Sequence, residues 1–254
     1  MKKFLFVDLD DTLFQSSSKC VPKLDLRPAA YLNDGLACSF TTQRQREFFE
    51  LMHREMTMIP ATARNRDALG RVSLPFNSYS IIDYGGIVLE PDGSVDPIWI
   101  EIMRTRMASE VDGLKEVTQV IDGYSKSAGL QGRARLIEDF EIPFYVVLKD
   151  PEKNAKHLEQ VEREALRPWL ANTVMGERFS IHRNGNNLAV LPKALNKARA
   201  VAHVRQRLVA EHGEIMTLGM GDSKSDASFM LACDYAIIPS GTQLAALTLE
   251  TLKA

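Results

Sequence analysis

Apolar residues fall into two kinds of grouping along this chain, short runs and helical stripes, and the two alternate over much of its length. Phe4–Val7, Met56–Ala61, Tyr79–Asp83, Leu188–Leu191, Ile215–Met220 and Tyr235–Ile238 are short runs rich in apolar residues. The first is unbroken, and a run without polar alternation predicts a strand buried on both faces, as in a parallel sheet covered by helices. Between the runs, Phe48, Phe49, Met52 and Met56 recur at helical spacing behind Thr42 and Gln45, a capping-box pair. Asn65–Val72, Pro192–Glu211 and Thr242–Leu252 read as further helices, with another through Phe229, Met230 and Ala232. Strands alternating with helices predict an α/β fold, a doubly wound, mostly parallel sheet.

Two stretches depart from that alternation. Asn33-Asp34-Gly35 separates the strand-like pieces Ala29–Leu32 and Leu36–Phe40 and carries hairpin turn chemistry. It follows a polar stretch, Gln15–Leu26, that reads as a loop, so the hairpin is either a flap beside the first strand or plain surface. The second departure runs from about Leu89 to Gly185. A long helical stretch, Pro97–Lys126, breaks near Gly113 and Gly123, and is followed by a strand at Pro143–Leu148. A charged helix, Pro151–Leu170, and a strand, Arg178–His182, complete it. This predicts a smaller α/β domain, residues 87–185, inserted into a core of residues 1–86 and 186–254, with Arg183–Asn187 as a polar hinge.

Composition narrows the picture. A chain of 254 residues has room for one large domain or two modest ones, and 45% hydrophobic with 25% charged residues is ordinary for a globular protein. A net charge of −2 gives no electrostatic reason to expect nucleic acid. Cys20, Cys38 and Cys233 are odd in number and far apart, which predicts neither a disulfide framework nor a zinc site. No apolar run approaches the roughly 18 residues that span a bilayer. The amino terminus leads straight into a strand rather than a signal peptide, so a cytoplasmic protein is expected.

The chemistry lies where the runs end. Phe4–Val7 delivers Asp8, Asp10, Asp11 and Thr12, with Asp8 and Asp10 on one side of an extended chain. Two unit charges about 4 Å apart repel by roughly 4 kcal/mol at an effective dielectric near 20. A divalent cation with hard oxygen ligands would relieve that repulsion. Locally, a solvated acidic turn or the metal site of a glycosyltransferase would show the same Asp-x-Asp. Met56–Ala61 delivers Thr62-Ala63-Arg64, whose hydroxyl stands where parallel sheets bind phosphate. Ile215–Met220 delivers Gly221-Asp222 and, four residues on, Asp226, with a glycine that permits close backbone approach.

Taken in order, Asp8-Leu-Asp-Asp-Thr-Leu13, Thr62, a lysine at a helix start, and Gly221-Asp222 with Asp226 resemble the four motifs of the haloacid dehalogenase superfamily of phosphohydrolases. The match is to the subgroup with a large inserted cap, which includes sugar-phosphate phosphatases and phosphomannomutase. Of Lys193 and Lys197, the latter is chosen: Asn196-Lys-Ala-Arg-Ala200 resembles the subgroup's lysine motif with alanine for glycine. Ala63 and Ser225 replace a glycine and an asparagine common in relatives, and neither Arg64 nor Ser225 is given a role. The resemblance implies that Asp8 is the nucleophile and Asp10 the acid/base, with Thr62 and Lys197 binding phosphate. It implies Mg²⁺ on Asp8, the Asp10 backbone carbonyl and Asp222, with Asp226 as a further ligand or acting through water. The expected reaction is hydrolysis of a small phosphate monoester such as a sugar phosphate, with the insert selecting the ester. A phosphomutase using the same aspartate and a non-catalytic binding protein are the alternatives.

Overall fold

The computed structural model describes residues 1–20, 25–249 and 251–253. They divide into two units, Met1–Ile100 with Asn196–Ala254, and Glu101–Leu195. The first unit opens with β1 (Lys2–Val7), β2 (Gln15–Ser16), β3 (Arg27–Tyr31), β4 (Ala37–Thr41), α1 (Gln43–Glu55) and β5 (Thr57–Pro60). It continues with α2 (Arg66–Leu69), β6 (Ser80–Ile82), β7 (Ile87–Leu89) and the first turn of α3 (Pro97–Ala108). The second unit holds the rest of α3, then α4 (Val111–Ser127), β8 (Ala134–Asp139), β9 (Ile142–Leu148) and α5 (Ala155–Val161). A π-helical turn, Glu162–Leu166, joins α5 to α6 (Arg167–Asn172), and β10 (Phe179–Asn184) and β11 (Asn187–Pro192) close that unit. The chain re-enters the first unit with α7 (Lys197–His212), β12 (Ile215–Met220), α8 (Ala227–Met230), β13 (Tyr235–Ile237) and α9 (Gln243–Leu247).

The first unit's sheet has the order β13-β12-β1-β5, parallel throughout. A bridge between Ala61 and Ile81 extends it toward β6, which turns back antiparallel against β7. β1 is buried on both faces, as its sequence predicts. Leu5 and Val7 join the cluster of Phe49, Met58 and Met220, while Phe4, on the opposite face, stacks on His212 of α7 at 5.7 Å. Each such side chain contributes about 1.5–3 kcal/mol by burial, which anchors the acids that follow. On α1 both halves of the capping box form, with Gln45 N–H donating to Thr42 Oγ1 and Thr42 N–H to Gln45 Oε1. β3 and β4 make the expected hairpin. Gln15 and Ser16, in the expected loop, instead pair with β4, and residues 21–24 of that loop lie outside the described residues.

The second unit has one antiparallel sheet of order β10-β11-β9-β8. Four sequence expectations change there. Leu188–Leu191 belongs to this sheet, with Val190 opposite both Ile181 and Val146, so the unit ends after Leu195 rather than at 185. Arg183–Asn187 is no hinge, because Asn184 pairs with Asn187 and Gly185 (φ 55°) turns the hairpin between them. The helical stretch breaks at Ser109–Glu110, and both Gly113 and Gly123 lie inside α4. A Cβ on Gly113 would come 2.5 Å from the Phe179 ring, so this glycine serves packing, at a helix cost of about 1 kcal/mol. The sequence does not predict β8, because it is a half-exposed edge strand too polar to read as one.

The entry also moves, from residue 86 to residue 100. Buried Asp96 caps α3 by accepting the Trp99 N–H at 2.8 Å, and it bonds His203 and Arg207 of α7, each at 2.7 Å. Those contacts hold the turn after β7 and the start of α3 within the first unit. Among the described residues, no helix is long and apolar enough to cross a membrane.

Candidate active site

Register brings the acids together. Val7 pairs with Met220, so Asp8 and Gly221-Asp222 leave adjacent strands side by side, and Asp8 N–H donates to the Met220 carbonyl at 2.9 Å. Val7 also pairs with Pro60, which sets Thr62 at the neighbouring strand end. Gly221 is required here, since a Cβ would lie 2.4 Å from the Asp226 Cβ. That close approach lets Asp226 fold back, its Oδ2 accepting from Ser223 N–H at 3.1 Å and Ser223 Oγ at 2.5 Å.

Lys197 is the first residue of α7, whose cap Asn196 accepts the Ala198 N–H at 2.7 Å. Its buried Nζ donates to Asp8 Oδ1 and to Asp226 Oδ1, each at 2.7 Å. Thr12 Oγ1 donates to Asp222 Oδ1 at 3.2 Å. One carboxylate oxygen each from Asp8, Asp222 and Asp226 lie within 4.8 Å of one another. Lys193 sits in the second unit and bonds the Glu177 carbonyl, so the lysine beside the acids is Lys197.

Asp10 does not join this cluster through its side chain. Its two oxygens are taken by Arg64, Nε to Oδ2 and Nη2 to Oδ1, each at 2.8 Å, and the guanidinium lies 5.2 Å from the Phe14 ring centre. Such a bidentate pair fixes orientation as well as charge. Thr62 is buried and its Oγ1 accepts the Arg64 N–H at 3.2 Å. The Arg64–Asp10 pair, Thr12 on Asp222 and Ser223 on Asp226 are contacts that motif spacing does not announce. The one signal for Arg64 was its place two residues after Thr62, at a strand end next to that of Asp8.

The electrostatics show a site short of positive charge. Burial holds the Asp8 carboxyl well above its usual range; Lys197 pulls it down, but Asp226 and Asp10 push the same way as burial. Burial, then Asp226 and Asp11, raise Asp222 to about 6. Burial acts against the charge of Asp226 too, yet the Lys197 ammonium outweighs it and holds that carboxyl below its usual value. Lys197 itself loses to burial but gains more from Asp226 and Asp8, so it stays charged. One ammonium cannot neutralise three carboxylates. The remaining donors are hard oxygens converging on one point, which fits a metal ion of the Mg²⁺ or Ca²⁺ kind.

The fold has solved counterparts. The C-terminal domain of C. albicans trehalose-6-phosphate phosphatase aligns with 91% of this chain and 73% of its own, at TM-score 0.57 and 13% identity. The sucrose-phosphatase of Synechocystis sp., solved with sucrose and phosphate, aligns over 100% of this chain and 98% of its own, at TM-score 0.51 and 14% identity. A Thermoplasma acidophilum protein aligns over 93% and 91%, at TM-score 0.50 and 15% identity. At such identities the likeness speaks for the fold. No curated protein sequence matches the chain significantly. A family model described as sucrose-6F-phosphate phosphohydrolase does match, over residues 1–252. With its motifs in order and that match running nearly end to end, the chain belongs to the sucrose-6F-phosphate phosphohydrolase family, phosphoric monoester hydrolases of the haloacid dehalogenase type.

Proposed function

We propose that this protein removes phosphate from a sugar phosphate, a disaccharide monophosphate of the kind its family name describes, with Mg²⁺ as cofactor. The observation that carries the reading is the buried cluster in which Lys197 bridges Asp8 and Asp226 beside Asp222. Asp8 attacks phosphorus: its Oδ–P bond forms as the ester P–O bond breaks, giving an aspartyl-phosphate. Asp10, which carries a proton when the ester is bound, hands it to the leaving sugar oxygen and regains one from the water that hydrolyses the intermediate, freeing Asp8 and phosphate. Because Arg64 engages both Asp10 oxygens, one of them must swing free as the ester enters. Thr62 and Lys197 bind the transferred phosphoryl oxygens, where charge must be stabilised in the transition state. Asp8, Asp222 and the Asp10 backbone carbonyl would hold Mg²⁺, with Asp226 in support. When bound, the ion offsets repulsion between the Asp8 carboxylate and the phosphate.

These groups recognise phosphate and metal, which every ester complex shares. Discrimination among esters then rests with the second unit. The test is phosphate release from sucrose 6-phosphate, trehalose 6-phosphate, a hexose phosphate and p-nitrophenyl phosphate, each with Mg²⁺ and with chelator. Release that needs Mg²⁺ and favours a disaccharide phosphate is expected. Release undiminished in excess chelator would remove the metal, and release from no ester would remove the reading. Replacing residues 101–195 with a short linker should spare p-nitrophenyl phosphate and abolish the preference among sugars.

A further inference from the structure

A run of left-handed backbone in the first unit lies beside these residues. Asp83, Tyr84 and Gly85 take φ of 51°, 56° and 93° in succession, and all three are buried. Glycine enters this region freely and aspartate now and then, so Tyr84 above all persists there because its surroundings over-determine it. What they reach explains the arrangement. Asp83 N–H donates to the Arg64 carbonyl at 2.8 Å, and Tyr84 N–H donates to the Thr62 carbonyl at 3.1 Å. In an extended chain, successive N–H groups point to opposite sides; a left-handed turn aims both at the same loop.

Gly85 faces the other way. A Cβ there would come 2.7 Å from the Asn196 oxygen and 2.9 Å from the Lys197 Cα, closer than real side chains approach. The Gly85 carbonyl is held in turn by the indole N–H of buried Trp99 at 3.0 Å. One three-residue turn is thus hydrogen-bonded to the Thr62 loop and packed without clearance against the backbone of Lys197.

We propose that Asp83–Gly85 is a positioning element that sets the separation of Thr62 and Lys197 and so the width of the phosphate-binding end of the site. The inference rests on the phosphate-binding roles proposed for those two side chains. Trp99 is the strut behind it, and the absent side chain at residue 85 is its working feature. A Cβ would push Asn196 and Lys197 away, carrying the ammonium off Asp8 and Asp226 while leaving both carboxylates in place.

The experiment compares Gly85→Ala with Gly93→Ala. Gly93 also has positive φ, 81°, but a Cβ there meets nothing within 4 Å, so it reproduces the backbone strain without the approach to Lys197. For each variant, kcat, inhibition by inorganic phosphate and thermal stability are measured. Gly85→Ala should lose roughly tenfold or more in kcat, with phosphate inhibition weakened several-fold, whereas Gly93→Ala should stay within about twofold in both. Equal constants for the two variants, with only their melting temperatures lowered, would overturn the proposal. If Gly85→Ala does not fold, Trp99→Phe keeps an aromatic ring but removes the donor to Gly85. A roughly threefold or greater loss in the same two constants is then expected, and parental values overturn the proposal. Lys197→Ala, assayed alongside, separates the two possible failures. Parental kcat in that variant sinks the role of Lys197 and the brace with it. An inactive Lys197→Ala beside a Gly85→Ala that behaves like Gly93→Ala sinks the brace alone.

Discussion

β1 and β9 each lead into an aspartate that is nearly inaccessible, Asp8 at 7% exposure and Asp150 at 3%. Each also stands in a group whose geometry could hold a metal, Asp8 with Asp222 and Asp226, Asp150 with Glu152 and His157. Their partners differ in kind. Asp150 Oδ1 accepts the N–H groups of Glu152 and Asn154, each at 3.0 Å, and Oδ2 faces His157 Nδ1 at 2.8 Å. All of these lie within seven positions of it. Burial works against its charge, but those N–H groups and the imidazole outweigh it and hold the carboxyl below the usual range. Asp8 is served by an ammonium 189 positions away, which two other acids share or crowd, and its carboxyl is held well above that range. A buried acid satisfied by its own turn is complete as it stands and shapes the loop. A buried acid assembled from remote elements and left with surplus charge is poised for a ligand.

The sharpest way to break that contrast is to neutralise both acids. Asp8→Asn should cut phosphate release on the order of 10⁴-fold or more, because the amide cannot act as nucleophile. Its fold should survive, since the change removes a buried charge. Asp150→Asn should leave turnover near parental. Activity within a few-fold of the parent in Asp8→Asn would erase the distinction.

Next comes Asp10→Asn, with an expected loss of about 10²–10⁴-fold on a sugar phosphate. The first step should suffer less with p-nitrophenyl phosphate, whose leaving group needs little protonation. Equal slowing of that step with both esters would deny Asp10 its acid role.

Metal affinity should then report on Asp222. Its carboxyl is raised to about 6, so it is ionised above that pH and loses charge as pH falls through it. Mg²⁺ binding, followed by calorimetry, should weaken as pH falls through 6, by up to about tenfold per unit from this group. Asp222→Ala should bind weakly at every pH and lose the part of that fall that lies near pH 6. A parent whose affinity does not fall between pH 6 and 5 would show that Asp222 is not a ligand.

The smallest effect should be Asp150→Ala, a loss of about 1–3 kcal/mol in denaturant unfolding at neutral pH with kcat unchanged. The folded-state value of Asp150 is depressed, so its contribution is present above the unfolded carboxylate value near 3.9 and fades as pH falls below it. Parent and variant should converge in acid. A constant gap down to low pH would mean that packing, not the charge, is responsible.

Much of the first unit was legible beforehand. Phe4–Val7 reads as a buried strand and is, because a continuous apolar run has few other places to go, and Ile215–Met220 reads as a strand and pairs beside it. Thr42 and Gln45 marked the start of α1 because a cap is chemistry within one turn. The acids fall at strand ends for the same reason, and the motif order nominates Asp8, Thr62, Lys197, Asp222 and Asp226 as candidates without any knowledge of distance. Leu188–Leu191 shows the limit. Its pattern says strand, but which sheet receives it depends on the tight turn at Asn184–Asn187 and on β9, some 40 residues earlier. β8 was hidden by the polarity of an edge strand, and Gly113 misled because its reason lies on Phe179.

The amino-acid sequence by itself therefore determined the periodic elements, their alternation and the charged residues that terminate them, since each depends on neighbours within a few positions. Tertiary structure alone decided that Arg64 would hold Asp10, that Lys197 would bridge Asp8 and Asp226, and that Gly85 would stand against Lys197. These are contacts between residues tens to hundreds of positions apart, and they exist because sheet register and a left-handed turn place backbone atoms to within an ångström. Local preference carries no information on that scale; packing at crystal-like density does.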